Sequence, residues 1–214
     1  MMKECLIKVV IFVVMVTLLV SIHLIKIYTL PFLFIHVPKT GGNSIKNTKF
    51  FEDSIYFFHT SINDVIRKGK KYKSSYTIVR NPYDRLVSAF FYLQDGGMKN
   101  VWDIESMKKQ QKYKNNFKEF VKNLHKFIND THYKPQYLFL SDKNNNIKVT
   151  HILKQESLNE DYIKLQQMYG YSPVSLKKTN ISKHEDYNRY YDEETKQLVQ
   201  KFYQKDFELL NYQM

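Results

Sequence analysis

Two adjacent glycines, a lysine and two hydroxyl residues stand directly after an apolar run near the start of the chain. The run covers residues 31–37, and it is followed by Pro38, Lys39, Thr40, Gly41, Gly42, Asn43 and Ser44. Glycine lets a backbone approach a ligand and adopt positive φ, and the N–H groups at a helix start attract anions. The order therefore predicts a buried strand, a turn that cradles an anion, and a short helix.

The position of the lysine separates this turn from the phosphate loop of ordinary ATPases. A Walker A loop places its lysine after the last glycine, directly before serine or threonine. Here Lys39 precedes both Gly41 and Gly42. The sequence therefore disfavours a P-loop kinase, which stays open as an alternative.

A second candidate anion site follows the apolar run Tyr76 to Val79. Arg80 ends this run, and Asn81-Pro82 predicts a helix start, because asparagine caps helices and proline suits the first helical position. Apolar residues then recur at helical spacing, which places Ser88 about two turns along that helix. Arg80 is thus expected at a strand end and beside a helix N-terminus, where a phosphate can bind.

His59 lies between the two anion sites in the sequence. It follows the aromatic, strand-compatible segment 50–58 and precedes Ser61, which with Asp64 three residues on resembles a capping box. Ligands of parallel α/β sheets bind at the carboxyl ends of the strands. His59 is therefore expected at the same edge as the two anion sites.

Together these motifs resemble those of sulfotransferases that use 3′-phosphoadenosine 5′-phosphosulfate (PAPS). Residues 38–44 are similar to the 5′-phosphosulfate loop of that family, and residues 77–90 to its 3′-phosphate motif. The likeness covers about residues 32–212, including the 180–184 loop, and is strongest to the carbohydrate branch with its Golgi heparan and chondroitin enzymes. It implies an α/β, P-loop-like three-layer fold, in which helices flank a central parallel sheet.

The resemblance also implies roles for individual residues. The 5′-phosphosulfate would be held by the backbone of Gly41 and Gly42 with Lys39, Thr40, Asn43 and Ser44, and the 3′-phosphate by Arg80 and Ser88. Lys39 would also neutralise charge on the leaving oxygen.

His59 is the expected general base, because histidine titrates near neutrality and related sulfotransferases place a histidine between the two motifs. His184 is the reserve candidate, and Glu52 stays open because other sulfotransferases use glutamate. His36 lies within the predicted strand and is expected to be structural.

The composition limits the classes of function. The chain has 214 residues, 43% of them hydrophobic, and a formal net charge of +12, which predicts one main domain and an anionic partner. No nucleic-acid-binding motif accompanies the charge. Cys5 is the single cysteine, which excludes an intramolecular disulfide, and the histidines lack metal-ligand spacing, so no metal is implied.

An uncharged run from Val9 to Ile25 predicts a transmembrane helix at the short end of the usual length. We interpret residues 1–29 as a short tail and a signal anchor, and residues 30–214 as the sulfotransferase domain. A cleaved signal peptide and a buried core helix are the alternatives. By resemblance, the protein is expected to be a single-pass type II membrane protein whose domain faces the Golgi lumen.

Other segments are predicted from apolar periodicity. A strand is expected over 147–153, and helices are expected over 117–128, 158–168 and 192–210. Residues 94–114 are interpreted as a connection. Trp102 within it either belongs to a surface excursion or shapes the acceptor cleft, and the first interpretation is favoured.

The sequence as a whole predicts transfer of the sulfuryl group of PAPS to a hydroxyl of a carbohydrate acceptor, expected to be anionic. A P-loop nucleotide kinase, and a non-catalytic, membrane-tethered polyanion-binding protein on the same fold, are the alternatives.

Overall fold

The computed structural model describes residues 9–21, 30–176 and 184–214. A four-stranded sheet in the order β2-β1-β3-β4 forms its centre, and all its paired neighbours run parallel. The strands are β1 (Phe32–Ile35), β2 (Ser54–Phe57), β3 (Ser75–Val79) and β4 (His151–Lys154). The register places Phe34 of β1 between Tyr56 of β2 and Tyr76 of β3.

Helices precede, connect and follow the strands. Residues 9–21 form helix α1. The remaining α-helices are α2 (Lys49–Glu52), α3 (Ile62–Arg67), α4 (Pro82–Gln94), α5 (Val101–Gln110), α6 (Phe117–Lys122), α7 (Tyr137–Leu140), α8 (Leu158–Met168), α9 (Glu193–Phe202) and α10 (Gln204–Leu209). Short 3₁₀ turns cover Gly42–Ile45, Gln111–Tyr113, Leu124–Phe127, Gln155–Ser157 and Tyr187–Tyr190.

Both faces of the sheet are covered, because side chains alternate between the two faces along each strand. Leu33 of β1 packs on the face covered by α3 and α7. Its neighbour Phe34 packs on the opposite face, against Phe50 of α2 and Tyr162 of α8. The predicted α/β fold with a parallel sheet flanked by helices is confirmed.

A third apolar cluster lies around α4. Phe90 of α4 packs against Phe120 of α6, with ring centroids 5.0 Å apart, and Tyr203, which follows α9, joins the same cluster. Burial of large aromatic side chains dominates the stability of such a cluster. The cluster fixes α4, whose N-terminus follows Arg80.

Helix starts occur where capping residues predicted them. Asn81 accepts a hydrogen bond from the Tyr83 N–H before α4, and Ser61 accepts one from the Asp64 N–H before α3. Asp192 caps α9 in the same way. Each cap satisfies an N–H group that has no partner within its own helix.

Several predicted boundaries are wrong. Residues 94–114 are not merely a connection, since α5 occupies residues 101–110 of that stretch. The segment 50–58 divides into α2 and β2, and the expected helices over 117–128 and 192–210 each break into two, at Asn123 and Tyr203. The strand expected over 147–153 is confined to β4.

The N-terminal expectation is only partly within the described residues. Every residue of α1 is exposed, and residues 22–25 of the expected anchor lie outside the described part. None of the helices in the described part of the chain is long and apolar enough to cross a bilayer. Residues 180–183 of the expected family loop also lie outside it.

Candidate active site

A cleft opens at the carboxyl edge of the sheet, beside β1. Strand β2 pairs on one side of β1 and β3 pairs on the other, so the loops after β1 and β3 leave a crevice between them. Crevices at such points bind the ligands of open parallel sheets. The cleft measures ≈ 1230 Å³, which exceeds the range of about 300–1,000 Å³ for one small-molecule site. It therefore has room for two substrates.

The loop after β1, residues 38–44, is here called the cradle loop. Lys39 has a φ of 67° and Gly41 a φ of 88°, and both values lie in the left-handed region that glycine tolerates best. Gly42 begins the 3₁₀ turn, and a Cβ added there would lie 2.5 Å from Nε2 of His36. The expected helix is thus a single turn, and the backbone packs too closely on His36 for a larger residue at position 42.

The predicted site residues converge on this cleft, with one exception. It is lined by Lys39, Gly41, Gly42, Asn43, Ser44, His59, Arg80 and Ser88. Thr40 is fully buried, and its hydroxyl donates to the carbonyl oxygen of Val37 at 2.8 Å. The Thr40 side chain therefore holds the loop, and no part of Thr40 is exposed in the cleft.

Lys39 lies in a partly desolvated position beside an aromatic ring. Its Nζ sits 3.6 Å from the centroid of the Tyr92 ring, within the range of a cation–π contact. Burial, followed by repulsion from Arg80, lowers the pKa of Lys39 to about 8, while Asp103 acts in the opposite direction. Lys39 is thus charged near neutrality, and an added anion would stabilise that charge.

Arg80 is held in place by a carboxylate and by backbone atoms. Its Nε and Nη2 each lie 2.8 Å from an oxygen of Asp84, which forms a two-point contact, and its Nη1 donates to the Lys39 carbonyl oxygen at 3.3 Å. The amide of Gln136 bonds both the N–H and the carbonyl oxygen of Arg80. The guanidinium therefore faces the cleft in one orientation, with remaining N–H groups for a ligand.

His59 has a defined tautomer. Its Nδ1 lies 3.1 Å from the carbonyl oxygen of His36. A carbonyl oxygen only accepts, so the proton is on Nδ1 and the lone pair is on Nε2. Burial, with smaller contributions from His132 and Lys46, lowers the pKa of His59 to about 4 against the opposing effects of the His36 hydrogen bond and Asp103. The ring is therefore neutral at pH 7.

The other candidate bases occupy different positions. Glu52 is an exposed side chain near Lys49 and does not line the cleft, so the structure does not support it as a base. His36 does line the cleft, although burial lowers its pKa to about 3, and its Nδ1 lies 3.1 Å from the Tyr56 hydroxyl. His184 lines the cleft and stacks on Phe91, with ring centroids 6.0 Å apart.

Comparison with known proteins identifies the family. A family model described as "Sulfotransferase family" matches residues 28–213. The chain belongs to the sulfotransferase family. No curated protein and no solved structure matches the chain.

In this sulfotransferase, a polar network surrounds Asp103 that was not predicted from the sequence. The Asp103 carboxylate is buried and accepts hydrogen bonds from the Tyr92 hydroxyl and the Met98 N–H, both at 2.8 Å. It also lies 3.4 Å from Nε2 of His132. The spacing of Asn100 and Asp103 is the cap spacing also seen at Ser61, and this signal could have located α5.

The structural role of Arg85, which joins two backbone segments, was also not predicted from the sequence. This buried side chain donates to the carbonyl oxygens of Pro38 at 3.4 Å, His132 at 3.1 Å and Lys134 at 2.6 Å. It therefore ties the cradle loop to the segment that carries His132. Among the described residues, no group of His, Cys, Asp and Glu has an arrangement that could hold a metal ion.

Proposed function

We propose that this sulfotransferase transfers the sulfuryl group of PAPS to a hydroxyl group of a carbohydrate. One observation carries the proposal: the loops after β1 and β3 bring the cradle loop, Arg80 and Ser88 to a single cleft that also contains His59. Two anion sites on one cleft suit a nucleotide that is phosphorylated at both its 5′ and 3′ positions. The family match supports sulfuryl transfer.

The donor would be held at two points. Backbone N–H groups of Gly41 and Gly42, with Asn43 and Ser44, would hold the 5′-phosphosulfate in the left-handed turn. Arg80 would hold the 3′-phosphate, since guanidinium groups pair well with phosphate oxygens. The fit rests on the open backbone of the cradle loop and on the fixed orientation of Arg80.

Lys39 would stabilise the charge that develops when the sulfur–oxygen bond to the leaving phosphate breaks. The donor supplies an activated sulfuryl group, and 3′-phosphoadenosine 5′-phosphate (PAP) leaves with the electron pair of that bond. An ammonium in a partly desolvated site stabilises such charge far better than one in water. Tyr92 and Asp103 would act as positioning residues, because the Tyr92 ring supports Lys39 and Asp103 fixes that ring.

His59 would accept the proton of the acceptor hydroxyl at Nε2 as its oxygen bonds to sulfur. A pKa of about 4 makes a weak base; burial is the main cause of the low value, and repulsion from His132 and Lys46 adds to it. Negative charge in the cradle would raise the pKa of His59 towards neutrality. General-base catalysis would then begin only after the donor has bound.

The test is the thermal unfolding of the full chain with PAP, ADP or ATP. A nucleotide at about 100 times its Kd stabilises a fold by roughly 2.7 kcal/mol. Stabilisation by PAP alone is expected, because only PAP carries the 3′-phosphate that Arg80 is proposed to bind. Preference for ATP would favour a P-loop kinase, and no response to any nucleotide would favour the non-catalytic polyanion-binding protein.

We further propose that α1 belongs to a membrane anchor, which would make the protein single-pass and type II, with the domain in the Golgi lumen. The support is that α1 has no charged residue, only two polar residues (Thr17 and Ser21), and is exposed throughout. A helix that is apolar all round belongs in a protein core or a membrane. Carbonate extraction of expressed full-length chain tests the anchor: retention in the membrane pellet is expected, and release with the soluble fraction contradicts it.

A further inference from the structure

Three large apolar side chains are exposed among the residues that line the cleft. Phe58 is 64% exposed, Met98 is 73% exposed and Trp102 is 74% exposed, and all three line the cleft. We call these residues the apolar lip. An exposed apolar patch at a cleft mouth marks a binding surface more often than a lone exposed residue does.

The apolar lip lies at the His59 end of the cleft. The Phe58 and His59 ring centroids are 4.1 Å apart. The Met98 N–H bonds Asp103, the residue after Trp102, and Asp103 lies 3.4 Å from His132. The His132 and His59 ring centroids are 6.4 Å apart, so the lip lies beside the expected base.

The opposite end of the cleft has different neighbours. A Cβ on Gly41 would lie 3.5 Å from both Gln155 and Leu158, so the cradle loop also borders the 155–160 segment there. That segment accepts a hydrogen bond from the Asn81 N–H through Glu156 at 2.7 Å. The donor would thus extend from the cradle loop towards Arg80 and residues 155–160, which leaves the lip for the second substrate.

The described lining of the cleft carries more carboxylates than lysine and arginine side chains, which disfavours a polyanionic second substrate. Among its described lining residues, the cations other than histidine are Lys39, Lys46 and Arg80, and the first and last are assigned to the donor. The same lining carries the carboxylates of Asp84, Asp103, Glu156, Glu160, Glu185 and Asp186. Beside the lip, Lys46 and Asp103 leave little net charge.

We infer that the apolar lip binds the apolar face of a neutral sugar ring, whose hydroxyl is thereby presented to Nε2 of His59. This inference rests on the proposed function and names the acceptor class. Sugar rings combine an apolar face with hydroxyl edges, and exposed aromatic rings pack well on the former. The polar groups of Asn100, Thr131 and His132, which line the same cleft, suit the other hydroxyls of such a ring. A phenol has only the hydroxyl that reacts.

Trp102 reports on this subsite directly, because it is the only tryptophan of the chain. The experiment titrates the PAP-loaded full chain with neutral disaccharides of hexose and N-acetylhexosamine, with heparin, and with 4-nitrophenol, while Trp102 fluorescence is recorded. Saturable blue-shifted emission with a neutral disaccharide is expected, since the ring would leave water. A response only to heparin, or only to 4-nitrophenol, overturns the inference.

Variants of the lip provide a second measurement. Trp102→Ala is expected to raise the acceptor KM about tenfold with little change in kcat, while Trp102→Phe keeps most of the affinity. Val101→Ala is the matched control, since Val101 is also exposed, at 77%, on the same helix but does not line the cleft. Equal KM values for Trp102→Ala and Val101→Ala overturn the inference.

PAP-dependent thermal stabilisation, measured on the same samples, separates the two proposals. If PAP stabilises the fold and no probe changes Trp102 fluorescence, the lip is not the acceptor subsite and the donor proposal stands. If a neutral disaccharide shifts Trp102 emission without any stabilisation by PAP, the subsite stands and the sulfuryl-transfer proposal fails.

Discussion

Replacing Tyr92 tests whether an aromatic ring keeps Lys39 charged and in position. The Tyr92 ring lies under the Lys39 ammonium at 3.6 Å, and its hydroxyl donates to Asp103 at 2.8 Å. Tyr92→Leu removes both contacts, and Tyr92→Phe removes only the hydroxyl. The pair of variants therefore separates the effect of the ring from the effect of the hydrogen bond.

The size of the effect follows from the burial of Lys39. A cation–π contact of a desolvated cation is worth about 2 kcal/mol. Loss of that stabilisation lowers kcat/KM roughly thirtyfold. The contact favours the charged form, so its loss also lowers the pKa of Lys39 below about 8. Tyr92→Phe keeps the ring and is expected to cost about 1 kcal/mol of stability with a nearly normal rate.

The assay is the pH profile of kcat/KM for PAPS between about pH 6 and pH 10 at saturating acceptor, which reports ionisations of the free enzyme. Wild-type activity should fall as pH rises through about 8, because Lys39 then loses its proton. Tyr92→Phe should keep this alkaline limb, and Tyr92→Leu should move it to lower pH. An unshifted limb with an unchanged rate in Tyr92→Leu would refute the assigned contact.

Three further substitutions test other parts of the site. Arg80→Gln should weaken PAP binding at least tenfold in calorimetry, because a charge-assisted hydrogen bond to the phosphate is lost. Arg67→Gln is the control, since Arg67 is exposed and paired with Asp64, and it should leave the Kd for PAP unchanged. Equal Kd values for the two variants contradict the 3′-phosphate role of Arg80. His59→Gln should lower turnover about 10²- to 10⁴-fold with PAP affinity intact. His125→Gln is the control, since His125 is exposed, and it should change neither quantity. Loss of both PAP binding and turnover in His59→Gln would indicate a structural role. Gly42→Ala should destabilise the fold by about 1–3 kcal/mol in urea unfolding, because its Cβ would lie 2.5 Å from a buried ring, and unchanged stability would contradict that packing.

The parts of the fold that were predictable depend on local signals. The apolar run before the cradle loop became β1, and the caps at Ser61 and Asn81 started helices where expected, since a cap and its helix lie within a few residues. The cradle loop was recognisable for the same reason. Its glycines, lysine and hydroxyl residues are contiguous in the chain.

Helix α5 was not predicted because it breaks the usual relation between apolar spacing and burial. Its buried side chains are polar: Asp103, Ser106 and Gln110. Gln110, for example, donates to the carbonyl oxygen of Phe90 at 3.0 Å. An analysis of apolar periodicity has no stripe to find in such a helix. Trp102 was accordingly assigned to a surface excursion, whereas it lines the cleft.

The contacts made by each site residue could not be predicted from the sequence either. Arg80 was predicted as a cation at a strand end, but its pairing with Asp84 depends on side-chain orientation at the first turn of α4. The lowered pKa of Lys39 depends on burial and on Arg80, which is distant in the chain. Such interactions between side chains follow from tertiary packing, and the order of residues alone does not specify them.

The contacts of Asp206 have a consequence for the order of events during biosynthesis. Its carboxylate accepts hydrogen bonds from the N–H groups of Gln136 and Tyr137, both at 2.8 Å, and the Gln136 side chain holds the backbone of Arg80. In a nascent chain, the segments proposed to bind the donor therefore leave the ribosome well before α10, whose Asp206 holds them in place. Contacts of such long sequence separation form late. The proposed donor site should thus be complete only after α10 has been synthesised.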